Sequence, residues 1–208
     1  MSTNPGHIWQ KTRSAYRINS SDLVAVEKIK SALQYLLDEL YFPQQQQLIV
    51  LCIGTDRSTG DALGPLIGTQ LTRIHLPQTT VLGTLDQPVH AVNLVETIAT
   101  IRVNHDDPFI IAVDACLGRA DSIESVDIGI GPIRPGAGVS KDLPAVGEIH
   151  INGIVNVGGF LEYYVLQNTR LSVVVRLAET IACGIALALH SIHSTSNTKC
   201  EEDEAALW

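Results

Sequence analysis

Two uninterrupted apolar runs constrain this chain more than any other feature. Leu48-Ile-Val-Leu-Cys-Ile53 and Pro108-Phe-Ile-Ile-Ala-Val113 contain no polar side chain. A strand with one wet face alternates polar and apolar residues, whereas a strand covered on both faces does not. Helical spacing appears between and around these runs. Leu23, Val26, Ile29, Leu33, Leu36, Leu37 and Leu40 share one face, behind the capping candidates Ser20, Ser21 and Asp22. Leu63, Leu66, Ile67 and Leu71 form a second stripe, and Val92, Leu94, Val95, Ile98 and Ile101 a third. Alternating strand and helix predicts parallel βαβ units: a three-layer α/β/α fold, its mostly parallel sheet carrying helices on both faces.

The remaining segments complete one domain. Thr80–Gly83 reads as a short strand, Ser125–Ile130 as a half-exposed one because it alternates, and Glu148–Val155 as a further one. Gly158 and Gly159 open a helix with Phe160, Leu161, Tyr164 and Val165, and the last helix runs from about Leu171 to Ile192. The expected organisation is an irregular arm over 1–18, a single domain over 19–193 and a mobile acidic tail over 194–208. Tyr163 and Tyr164 suit either a core or an interface.

Composition excludes some functions. The formal net charge is −8, against the clustered Lys and Arg that nucleic acid requires. No apolar leader follows Met1, and Ile181–Leu189 is too short a run to span a bilayer, so a cytoplasmic protein is expected, with no membrane partner. The cysteines Cys52, Cys116, Cys183 and Cys200 form no C-x-x-C pair and read as free, mostly buried thiols.

In open α/β sheets ligands bind beyond the carboxyl ends of the strands. Two aspartates are expected there. Asp61 follows the first apolar run and the loop Gly54–Gly60, and Asp114 follows the second run directly. That loop is not a phosphate loop: five residues separate its glycines, and Asp61 stands where a lysine would be needed. No G-x-G-x-x-G is present, and no cofactor is expected. Asp61 also fits a helix cap, and Asp114 a hydrogen-bonded structural role. Asp56 and Arg57 fit a solvated loop pair or a substrate contact, and the Gly131–Gly138 loop a run of turns or the border of a cleft.

The segments around both aspartates resemble a known lineage. Cys52-Ile-Gly-Thr-Asp-Arg-Ser-Thr-Gly-Asp-Ala-Leu-Gly-Pro65, Ile111-Ala-Val-Asp-Ala-Cys-Leu-Gly118 and Ile128-Gly-Ile-Gly-Pro with Arg134–Val139 resemble segments of the germination protease of spore-forming bacteria. The likeness is greater to its smaller relatives, the sporulation protease family, where it runs from about residue 22 to 192 and includes Asn152–Phe160. The order of elements is more distantly similar to hydrogenase maturation peptidases. The resemblance implies a phosphorylase/hydrolase-like fold and an atypical aspartic endopeptidase with Asp61 and Asp114 as catalytic residues. It implies a protein or peptide substrate, with the basic small acid-soluble spore proteins as candidates.

Three other readings compete. A metal-dependent peptidase would combine Asp61 and Asp114 with His150 or, less suitably, His90. A non-catalytic protein would keep the fold for recognition. A thiol nucleophile at Cys116 lacks any supporting motif.

Overall fold

The computed structural model describes residues 14–135 and 143–205, with side chains described over 16–135 and 143–192. Six strands form one sheet: β1 (Ser14–Asn19), β2 (Gln47–Cys52), β3 (Thr79–Leu82), β4 (Pro108–Gly118), β5 (Ser125–Ile130) and β6 (Ile149–Val157), in the order β1-β5-β6-β4-β2-β3. β3, β2, β4 and β6 run parallel, β5 is antiparallel to β6, and β1 is antiparallel to β5. The helices are α1 (Ala25–Leu40), α2 (Leu63–Thr72), α3 (Leu94–Asn104), α4 (Glu162–Gln167) and α5 (Leu171–Ala205).

The apolar runs divide their side chains between two cores, as period-two alternation requires. Leu48, Val50 and Cys52 of β2, with Phe109, Ile111 and Val113 of β4, pack against α1, α2 and α5. Ile49, Leu51, Ile110 and Ala112 face the other way, onto Leu94, Ile98 and Ile101 of α3 and onto Ile133, Leu143 and Val146. Helices therefore cover both faces, three of them on the first and α3 on the second.

Several expectations need correction. Residues 14–18 are no irregular arm. Tyr16 and Ile18 face the first core, and Ser14–Asn19 pairs with β5; residues 1–13 lie outside the described residues. β5 is covered rather than half exposed, because β1 lies beside it and only Ile130 is open. α5 continues to Ala205 instead of ending near Ile192, which places much of the expected tail in a helix. Its Leu171–Ile192 stretch is long and apolar enough to cross a membrane by composition, but half of that window is buried against the core. Cys183 is exposed, while Cys52 is buried and Cys116 is partly buried. Tyr163 and Tyr164 lie on the surface with their rings 6.0 Å apart. α4 begins only after Leu161, whose φ is 56°.

Close backbone contact seats α2. A Cβ on Gly64 would lie 2.1 Å from the Ile53 carbonyl oxygen, and one on Gly68 would lie 2.1 Å from that of Gly83. The helix thus lies almost on the sheet, which fixes the position of the residues just before it. Alanine normally favours a helix over glycine, but here its methyl meets immovable backbone. Gly68→Ala is expected to lower stability by about 1–3 kcal/mol. Gly158→Ala, whose Cβ would make ordinary contacts from 3.4 Å outward, is expected to leave it nearly unchanged. Urea denaturation of both variants checks this.

Candidate active site

Asp114 does not stand past the end of its strand. β4 runs on to Gly118 because β6 keeps pairing with it as far as Val157. Its other neighbour stops: the ladder with β2 ends at Cys52–Val113, followed by one bond from the Ile53 N–H to the Val113 carbonyl. Gly54 then turns the chain away at φ 142°. β4 is therefore open on that side from Asp114 onward. By alternation from Ile110 and Ala112, Asp114 projects from the second face.

The loop leaving β2 brings Asp61 to this opening. Gly60–Ala62 forms a single 3-10 turn that packs against β4, α4 and α5. The Thr55 N–H donates to the Asp61 carbonyl at 3.1 Å, closing the loop on itself. A Cβ at Gly54 would lie 2.0 Å from that carbonyl oxygen, so glycine is required. Asp61 caps no helix. α2 starts after Ala62, and no side chain bonds to its first amides. The carboxylate is free of the structural duty its position suggested.

Electrostatics tie the two carboxyls together. Burial raises Asp114 well above the ordinary carboxylate range, and the charge of Asp61 raises it further; the Ala115 N–H, donating to Oδ1 at 2.8 Å, opposes this. Burial also raises Asp61, but the Thr55 amide and His90 act against it. Two carboxyls that influence each other this way titrate as a pair. Of the two, Asp114 is raised further, being the more desolvated and the one with less opposing it.

The two histidines weighed as metal ligands lie in different surroundings. The Ile53–Val89 bridge and the bond from the Gly54 N–H to the Val89 carbonyl hold His90 near Asp61. Its Nδ1 accepts from the Val92 N–H at 3.2 Å. His90 also lines an open cavity of about 460 Å³ with Val81–Thr84, Gln87–Val89, Asn93 and Thr97. His150 is only 2% exposed, and its Nδ1 lies 3.0 Å from the Gly131 carbonyl, where it anchors a loop. Among the described residues no three His, Cys, Asp or Glu side chains gather as a metal-binding group. Burial, Asp114 and Asp127 push the Cys116 thiol up to about 12, which keeps it protonated and a poor nucleophile. Asp56 and Arg57 are exposed loop residues. Of the Gly131–Gly138 loop, Ile133 joins the second core, and residues 136–138 lie outside the described residues.

A salt bridge escaped the sequence reading. Arg17 donates to Asp127 from Nε and Nη2, both at 2.6 Å, and Asp127 is 8% exposed. Alternation of Tyr16 and Ile18 around Arg17 was the available signal.

Protonation of Asp114 carries a stability consequence. A carboxyl whose folded pKa is raised contributes stability in full below its unfolded pKa of about 3.9, and loses it as pH rises through the folded value. Asp114→Asn is neutral at every pH. Its stability relative to the parent is therefore expected to increase from about pH 4 towards neutrality. Denaturant titrations over that range check this, and a constant difference would contradict it.

The site lies within a stretch shared with other proteins. Residues 17–184 match the family described as protein of unknown function (DUF1256). The chain is 49% identical over 187 residues to the uncharacterized protein YyaC of Bacillus subtilis strain 168, covering 90% of each chain. Among solved structures it is similar to the NiFe-hydrogenase maturation protease HycI from Thermococcus kodakarensis KOD1. That similarity has a TM-score of 0.50 and 19% identity, covering 76% of this chain and 98% of that one. At that identity the likeness is one of fold. The family match spans both aspartates and every strand from β2 to β6, and the chain belongs to the DUF1256 family.

Proposed function

We propose that this protein is an endopeptidase whose Asp61 and Asp114 form an acid–base pair. The observation that carries this reading is the electrostatic influence between two partly buried carboxyls, each desolvated, where β4 loses its neighbour β2. Perturbed carboxyls in an opening of this kind are a usual mark of catalysis. The shared fold with a maturation protease and the resemblance of both aspartate segments to germination protease support it.

The reaction needs only water. Asp61, the ionised partner, takes a proton from a water placed between the carboxyls. The resulting hydroxyl attacks the scissile carbonyl carbon while Asp114 gives its proton to the carbonyl oxygen. The tetrahedral species then collapses. Asp61 returns its proton to the leaving nitrogen, Asp114 recovers one from the hydroxyl, and the products are a carboxylic acid and an amine. The Thr55 amide and, more weakly, His90 oppose the rise that burial imposes on Asp61.

The substrate class we favour is a flexible basic protein, the small acid-soluble spore proteins included. A chain of net charge −8 attracts such partners over distance. The proposed setting is the cytosol of a spore-forming cell.

The test is incubation of purified protein with denatured bacterial proteins, with new peptide termini read by mass spectrometry. The parent is expected to cut. Asp61→Asn and Asp114→Asn are each expected to cut at least about 100-fold more slowly with unchanged circular dichroism. Equal cleavage by parent and variants would refute the pair. Chelator is expected to leave the rate unchanged, and loss of activity that added metal restores would favour a metal-dependent peptidase.

A further inference from the structure

Resting on that reading, we propose that Asn152 is a third catalytic residue, donating an Nδ2 hydrogen bond to the scissile carbonyl oxygen. Strand register makes the argument. Asn152 of β6 stands directly opposite Asp114 of β4 on one side and Asp127 of β5 on the other. Arg17 of β1 stands opposite Asp127. Directly opposed residues project from the same sheet face. Arg17, Asp127, Asn152 and Asp114 therefore form one polar row across four strands. The residues flanking that row, among them Ile18, Val126, Ile128, Ile151 and Val113, belong to the opposite, apolar face.

Within the row the hydrogen-bonding roles are unequal. Asp127 is taken by Arg17, and Asp114 Oδ1 accepts from the Ala115 amide. The Asn152 carboxamide makes no side-chain hydrogen bond among the described residues. It is also the open position on its side of β6: His150 and Ile154, two residues either way, are each 2% exposed, while Asn152 is half-buried. A half-buried carboxamide with no partner among the described side chains, directly beside Asp114, is available to donate to a ligand. A carbonyl oxygen that accepts the Asp114 proton on one lone pair leaves the other for the amide N–H of Asn152. Negative charge grows on that oxygen during attack, so a fixed donor stabilises the transition state more than the ground state. Arg17 contributes by neutralising Asp127, which would otherwise compete for the Asn152 amide.

The test uses the same denatured-protein mixture with enzyme in excess, so that the limiting cleavage rate and the half-saturating enzyme concentration are read separately. Asn152→Ala is expected to lower the limiting rate by about 100-fold or more and leave the half-saturating concentration within about threefold. Asn152→Val repeats the loss of the donor with a side chain that favours a strand, and keeps the test valid if the alanine variant folds poorly. Both variants are expected to keep the native circular dichroism and the raised Asp114 titration, which a structural role for Asn152 would not preserve. A full limiting rate in either folded variant overturns the proposal. If the parent cuts and Asp61→Asn does not while Asn152→Val keeps its rate, the assignment of Asn152 fails alone. If the parent itself does not cut, the peptidase reading fails and takes this assignment with it.

Discussion

The structure depends on a mismatch in strand length. β4 goes on for five residues after Val113, from Asp114 to Gly118, while β2 ends at Cys52. A parallel strand that loses a neighbour leaves backbone and side chains open on that side. Here the departing chain turns at Gly54 and brings back Asp61. The carboxyl–carboxyl encounter is thus a product of sheet topology, held by glycines that let α2 lie against the strands. It is electrostatically unfavourable and lasts because the surrounding cores, packed on both faces of β2 and β4, determine the backbone independently of it.

Much of the fold was legible in the sequence because it is carried by local pattern. The two apolar runs marked the central strands, and the helical stripes of α1, α2 and α3 marked the layers on either side. The rest depended on long-range register. Ser14–Asn19 is a strand because β5 offers an edge to pair with, and six residues with three apolar positions do not announce that. Asp114 looked like the end of a strand because hydrophobicity ends at Val113, yet hydrogen bonding to β6 continues. The N-terminal part of α1 shows the same limit. Asp22, three residues before the helix, accepts from the Val24 amide instead of capping it.

Both candidate aspartates were singled out from strand ends and flanking residues, but their electrostatic relation was not. Asp61 stood between a cap and a catalytic role until the 3-10 turn removed the cap. The surroundings of His90 and His150 are set by contacts far apart in sequence, the Val89 bridge to Ile53 for one and the Gly131 carbonyl for the other. Family membership and a shared fold do not name the chemistry. The roles proposed for the two carboxyls rest on their environments: burial and the charge of Asp61 raise Asp114 well above the ordinary range, while an amide and an imidazole oppose the rise at Asp61.

The coupling of the two carboxyls is the central claim, and carboxyl-carbon NMR titration of Asp114 measures it directly, in the parent and in Asp61→Asn. The account predicts that Asp114 titrates well above the ordinary carboxylate range in the parent and moves down in the variant, where burial alone still holds it high. Titration of Asp114 near 4 in the parent, or the same elevated value in both proteins, would contradict it.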